Sequence, residues 1–286
     1  MSKKIKTKTQ KRILNYFRRV VQLLFFIFLP SAFTSAFSGV KYIFTQIGLK
    51  QSIEFNSFVA ILIVLCGFTI VFGRLFCGFA CAFGSLGDAV HGSYLWICKK
   101  IHKKPIQFKG KWEKKLLYIK YLLLSVIVLL CFSGVYSKMS GWNPWDVFSL
   151  IRSGNFHLAG YIVGIVLFVL ILIGMALHER FFCKFLCPMG AVFSWLPVIP
   201  LFSLRRDKNN CIKGCSACKR CCPANISLPD KNEMKCSGDC FQCQKCVNTC
   251  PKNNIHIGFF RIHRNEIVFT LLRILILSLL LYLAGV

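Results

Sequence analysis

Apolar positions along the chain gather in long blocks instead of recurring with a helical or strand period. Five of them, at residues 20–37, 55–73, 116–135, 158–177 and 267–284, approach the ~20 residues that a bilayer-crossing helix requires. Pro30 predicts a kink in the first block. Lys120 and Arg273 fall near the ends of the third and fifth, where long basic side chains snorkel toward headgroups. Two shorter apolar runs, 78–85 and 189–202, are too short to span and read as re-entrant or interfacial pieces. No small-residue cleavage site follows the first block, which is therefore read as a retained helix. The expected fold is an all-α polytopic membrane protein with about five transmembrane helices and a small polar domain inserted before the last of them.

Charge gives this arrangement an orientation. The formal net charge of +27 invites a nucleic-acid reading, but the basic residues sort by loop. Eight Lys and Arg precede Val20, nine lie in 74–115 and fourteen in 180–264, whereas the alternate loops hold only Lys41 and Lys50, then Lys138 and Arg152. The positive-inside rule then puts the N-terminus and the long basic segment in the cytoplasm and the C-terminus outside a prokaryotic inner membrane. Membrane lipid, not nucleic acid, is the expected partner of the basic N-terminus. With 55% hydrophobic residues and a mean hydropathy of +0.57, the chain has more apolar surface than a soluble domain of its length buries. The expected domains are 1–19, a basic cytoplasmic N-terminus; 20–203, the membrane domain; 204–258, a small cysteine-dense domain; and 259–286, a C-terminal transmembrane helix.

A cytoplasmic location makes closely spaced thiols among the 17 cysteines metal or redox ligands rather than disulfides. Cys240, Cys243, Cys246 and Cys250, followed by Pro251, have the C-x2-C-x2-C-x3-C-P spacing of bacterial two-cluster ferredoxins. Three thiolates so spaced wrap one cubane, and the fourth is directed to a second. Cys211, Cys215, Cys218 and Cys222 repeat the pattern with one extra residue between the first two. In the crossed arrangement Cys250 joins Cys211, Cys215 and Cys218, and Cys222 joins Cys240, Cys243 and Cys246, giving two 4Fe-4S clusters. Cys221 and Cys236 are left over, and either substitutes for a neighbour if the insertion shifts the register. Paired four-cysteine zinc sites normally use two C-x2-C pairs across a longer loop, a poorer match. A domain this small needs its cofactor to fold.

An internal repeat lies upstream. Arg74, Phe76, Cys77, Phe79, Cys81 and Gly84 align with Arg180, Phe182, Cys183, Phe185, Cys187 and Gly190. Each copy follows an apolar block, so two related helix-CxxxC units are expected, and the four cysteines are candidate redox or metal thiols. They could converge on an additional metal, a further cluster or a dithiol relay with Arg74 and Arg180 stabilising thiolates, or serve as small buried side chains.

The CxxxC pairs with a downstream two-cluster segment resemble the polytopic membrane 4Fe-4S ferredoxins typified by the NapH quinol-dehydrogenase subunit, with NosR and CcoG as more distant relatives. The resemblance covers roughly residues 55–254 and implies electron transfer between the quinone pool and partner redox proteins or subunits. The chain departs from the family pattern at Ala82, where proline is expected, and shows no flavin-carrying domain. The basic surroundings of the clusters suit an acidic donor such as a ferredoxin or flavodoxin. The competing functions are copper reduction or assembly through Cys77, Cys81, Cys183 and Cys187, since soft thiolates suit Cu(I), and membrane redox sensing. In the loop from Ser140 to Asp146, Trp142 and Trp145 read first as interfacial anchors and second as the border of a quinol site with His157. His91, His102, His178, His256 and His263 have no ligand spacing and read as surface or interfacial. Cys66 and Cys131 read as small helix hydrophobes, and Cys98 lies in what reads as a basic loop.

Overall fold

The computed structural model describes residues 8–106, 111–138, 141–154, 160–199, 202–231, 233, 237–257 and 266–285. Helices dominate: α1 Lys8–Phe28, α2 Ala32–Gly48, α3 Ser57–Phe72, α4 Leu75–Phe79, α5 Ala82–Lys100, α6 Lys111–Leu116, α7 Ile119–Phe132, α8 Pro144–Arg152, α9 Ile162–Leu177, α10 Pro188–Trp195, α11 Ala217–Arg220, α12 Lys245–Thr249 and α13 Glu266–Leu283. Two short strands, β1 Leu204–Arg206 and β2 Ile255–Ile257, two 3-10 turns, Val135–Lys138 and Lys208–Asn210, and a π-helical turn, Phe182–Leu186, complete the described elements.

All five apolar blocks form helix, but the first is not one helix. The chain breaks between Phe28 and Ala32, where Pro30 has no N–H to continue the ladder. Among the described residues no single helix is long and apolar enough to cross a membrane. Two bent pairs, Ile13–Phe28 with Ala32–Gly48 and Ser57–Phe72 with Leu75–Lys100, pass by length and composition together. At 1.5 Å per residue, α7 extends only ~21 Å against a hydrocarbon core of ~30 Å. Three local expectations are corrected. Cys98 lies in helix α5, not in a loop. Lys120 and Arg273 are 2% and 0% exposed, so neither reaches outward to snorkel. Trp145 is buried among aromatic rings instead of anchoring at a surface, whereas Trp142 is exposed. His157 and His263 lie outside the described residues.

The chain divides into two compact units. One comprises Ser31–Leu62 and Ala82–Ala191. Within it α2 packs on α7, and α9 packs on both α5 and α8. Their meeting point is aromatic: Phe83 lies 5.0 Å from Phe182, 5.3 Å from Phe33 and 4.6 Å from Phe148, centroid to centroid, and Trp145 lies 5.6 Å from Phe37 and 5.8 Å from Phe182. Offset and edge-on rings at these distances add ~0.5–1.5 kcal/mol per pair beyond area burial.

The other unit comprises Met1–Pro30, Ile63–Cys81 and Val192–Val286. Here β1 and β2 pair antiparallel with Leu204 opposite Ile257, Arg205 opposite His256 and Arg206 opposite Ile255. The pair closes a small core of Leu204, Leu228, Cys246, Val247, Ile255 and Ile257. Against expectation, His256 is buried in that sheet. Phe202 stacks on Phe269 of α13 at 5.6 Å and lies tilted against Phe72 of α3 at 4.8 Å, so the start of the cysteine-rich segment is fastened to two apolar helices. At α4, Gly78 lets the Phe241 carbonyl approach so closely that any Cβ would collide with it. Gly78→Ala is expected to cost about 1–3 kcal/mol by overpacking. Gly67→Ala in α3 meets nothing within 4 Å and is the matched control. Thermal unfolding in detergent checks this, and equal midpoints for the two variants would contradict the close approach.

Candidate functional site

The cysteine-rich segment forms two thiol-lined hollows. Cys211, Cys215, Cys218 and Cys250 line one, with Arg206, Lys252 and Asn254 at its border. Cys218, Cys222, Cys240, Cys243 and Cys246 line the other, with Pro223, Phe241 and Leu228. Each hollow draws cysteines from both motifs, because β1 and β2 bring the two ends of the segment together and α11 packs on α12. Cys221 lines neither, its Sγ lying 3.4 Å from the Cys218 carbonyl, and Cys236 falls outside the described residues. The described cysteines are all free thiols. No group of three His, Cys, Asp or Glu among the described residues is arranged to hold a single metal ion.

The hollows differ in exposure. Cys211 and Cys215 face solvent, whereas Cys243 and Cys246 are buried. Burial pushes the Cys240 thiol up to about 12 and the Cys246 thiol well above its ordinary value. The Cys240 and Cys246 thiols are therefore uncharged without a metal, and a metal that binds them as thiolates must displace their protons. The donor set fits a 4Fe-4S group, which is held by four cysteine thiolates. Cys211, Cys215, Cys218 and Cys250 would hold one such group, and Cys222, Cys240, Cys243 and Cys246 the other.

The loop around Cys243 is held in an uncommon backbone shape. Gln242 and Gln244 both adopt left-handed φ, 52° and 58°, at ~1–3 kcal/mol each for a residue with a side chain. Their buried amides offset that cost. Gln244 donates to Thr270 Oγ1 at 2.8 Å, and Gln242 donates to the Phe202 carbonyl at 3.3 Å while accepting from Arg273 at 3.4 Å. Arg273 also lies 4.8 Å over the Phe269 ring. Helix α13 thus positions the cysteine loop. Neither glutamine carries a signal in the sequence, and Arg273 is ambiguous there because a basic residue near a helix end suits a headgroup as well as a buried amide.

The repeat is structural as well as sequential. Cys81 N–H donates to the Phe76 carbonyl at 2.9 Å, and Cys187 N–H to the equivalent Phe182 carbonyl at 2.8 Å. This five-residue closure is π-type, a geometry that recurs at functional sites. Arg74, Arg180, Cys77, Cys81, Cys183 and Cys187 are all buried. Cys77 and Cys81 belong to one compact unit and Cys183 and Cys187 to the other. Cys187 Sγ accepts the Gly190 N–H at 3.1 Å. The second copy sits in a charged cluster: Arg180 holds Asp88 through Nε at 3.1 Å and Nη2 at 2.7 Å, and Lys184 pairs with Glu113 beside His178. Asp88 and Glu113 had no motif to mark them.

The comparisons with known proteins fall on these elements. The 4Fe-4S binding domain family matches residues 57–105 and 162–206, two stretches that contain the two CxxxC copies and end before Cys211. Among curated relatives, the uncharacterized protein MJ0749 of Methanocaldococcus jannaschii is 30% identical over 66% of the chain and 65% of its own length. The putative electron transport protein YccM of Escherichia coli is 24% identical over 62% of the chain and 49% of its own length. The ferredoxin-type protein NapH of Haemophilus influenzae is 24% identical over 66% of the chain and 64% of its own length. The chain thus spans between half and two thirds of these relatives. No solved structure matches. Two stretches of the chain thus match a 4Fe-4S binding domain, and the chain is similar to ferredoxin-type proteins. It is a relative of NapH, as its motifs implied.

Just past α9, His178 is shifted down to about 4 by burial first and by the Lys184 charge second, while Glu113 opposes the shift. As pH falls below its ordinary 6.5, the unfolded chain takes up this proton before the folded one. Stability contributed by the neutral imidazole is therefore complete above pH 6.5 and declines toward pH 4. The unfolding midpoint of the wild type should fall across that window more steeply than that of His178→Gln, and parallel profiles would contradict it.

Proposed function

We propose that the chain is a membrane-bound electron carrier with two 4Fe-4S clusters, one on Cys211, Cys215, Cys218 and Cys250 and one on Cys222, Cys240, Cys243 and Cys246. The observation that carries this reading is the pair of separate thiol-lined hollows, each assembled from both cysteine motifs. Bound there, the clusters supply one-electron redox chemistry at potentials set by burial, charge and hydrogen bonds to sulfur. The protein's part is to exclude water from the inner site, through Phe241 and Leu228, and to leave the outer site accessible.

The outer site has a basic border. Arg206 and Lys252 line it, and Lys213, Lys219 and Arg220 stand exposed on the segment between its cysteines. Such a face favours an acidic redox partner, of the kind that a ferredoxin or flavodoxin presents. The membrane reading is supported by the outward faces of α7, α9 and α13, where Leu122, Leu129, Leu170, Ile173, Leu275 and Leu279 are all exposed. Water does not tolerate apolar faces of that extent, and lipid does. With the positive-inside orientation, the N-terminus and both hollows face the cytoplasm, the C-terminus lies outside, and the carrier links the quinone pool or a low-potential donor to partner redox subunits. Copper reduction or assembly through the CxxxC thiols is the second reading, favoured by four buried cysteines in two equivalent turns.

Anaerobically purified protein is expected to contain about eight irons and matching sulfide per chain and to give reduced-cluster paramagnetic signals with dithionite. Its reduction by an acidic ferredoxin should slow as salt screens the basic border. Zinc in place of iron, with no signal, would overturn the reading. Iron clearly above eight, lost in Cys77→Ala, would assign a further centre to the repeat.

A further inference from the structure

The two arginines of the repeat solve one problem in two ways. Arg180 is 1% exposed and is neutralised by Asp88, which lies in its own compact unit. Arg74 is equally buried, but the repeat places Ser194 where Asp88 would have its counterpart, and a serine carries no charge. The acid comes instead from the cysteine-rich segment. Asp239 Oδ1 lies 3.6 Å from Arg74 Nη1 and accepts the Ser194 hydroxyl at 2.9 Å. Gly238 runs so close to the Ser194 carbonyl that a side chain there would meet it.

This pair stands beside the inner thiol site. Asp239 directly precedes Cys240, and the Arg74 guanidinium lies 5.3 Å from the centroid of the Phe241 ring that follows it. Arg74, Cys240 and Gln242 border a common hollow. Adding an electron to a cluster adds negative charge at a site shielded from water. A fully buried cation beside one of its ligands stabilises that added charge, and an adjacent carboxylate opposes it. The Asp239 side chain is 41% exposed, so solvent screens it more than the arginine and the pair acts as a net positive charge.

We propose, building on the two-cluster reading, that Arg74 and Asp239 are positioning residues that dock the inner cluster site on the first repeat and set its reduction potential in opposite senses. The inner site is thereby held at a higher potential than its burial alone would give, while the outer site, with Cys211 and Cys215 exposed, is not governed by this pair.

Potentiometric titration of the two paramagnetic signals in full-length protein tests this, with iron content measured alongside. Arg74→Gln should lower the midpoint of one signal, with at least a tenfold fall in its reduced-to-oxidised ratio at fixed ambient potential, or about 59 mV for a one-electron couple. Asp239→Asn should raise the same midpoint, Arg74→Lys should restore it most of the way, and the other signal should stay put in all three. A purely structural pair would instead shift both variants in the same direction, move both signals together, or lose iron without moving the midpoints of what remains. Any of these overturns the proposal. If Arg74→Gln does not retain iron, Asp239→Asn decides: a rise of one midpoint with the other unmoved supports the proposal, and no rise overturns it. Wild-type protein without two clusters would refute the two-cluster reading itself, an outcome distinct from two intact clusters indifferent to Arg74.

Discussion

A guanidinium cannot be taken out of water alone, and among the described residues four are taken out almost completely: Arg74, Arg180, Arg205 and Arg273 are the largest fully buried side chains there. Each therefore fixes the position of whatever satisfies it. Arg205 gathers the Lys231 and Glu233 carbonyls at 3.0 and 2.7 Å, closing the loop that follows β1. Arg273 orders the Gln242 and Thr270 side chains beneath the cysteine loop. Arg180 clamps α5 through Asp88, and Arg74 takes Asp239. Removing one partner leaves a buried cation, at ~3–5 kcal/mol, which makes these contacts specific as well as stabilising.

From that constraint follows the asymmetry of the repeat. In the first copy Gly78 leaves room for the Phe241 carbonyl, and Gln22 donates to the Gly78 carbonyl at 3.2 Å, so the turn serves as a plate on which the cysteine-rich segment rests. The second copy has Lys184 at that place, buried and paired with Glu113. One copy is open to a partner segment, and the other is closed by its own charges. The electron-carrier reading uses the difference: the first copy holds the inner thiol site rigidly enough for buried charge to act on it.

Spacing picked out the eight cysteines that the fold gathers along two hollows, and the repeated turn, because closely set thiols and a turn repeated in register both leave fixed intervals in a sequence. The apolar blocks were legible for a similar reason, since burial in lipid or core selects long runs. What stayed hidden was set by tertiary pairing. Helix α5 interleaves Gly84, Gly87, Asp88 and His91 among its apolar residues and gives no block, yet Asp88 needs that helix in order to meet Arg180. Lys120, Arg273 and Trp145 have the composition of interfacial residues, and only the rings and amides packed around them make them internal. Gln242 and Gln244 take left-handed backbone that a sequence would assign to glycine, because side-chain hydrogen bonds to α13 compensate the strain.

The central claim is that each hollow holds one cluster with cysteines drawn from both motifs, and a pair of double variants tests it most directly by iron content and paramagnetic signal. Cys215→Ala with Cys250→Ala removes two ligands from the same site, so about half the iron and one signal should remain. Cys215→Ala with Cys222→Ala removes one ligand from each, so both signals should be lost. The reverse result, in which the first double variant loses both clusters and the second keeps one, would contradict the account by showing that each motif holds its own cluster.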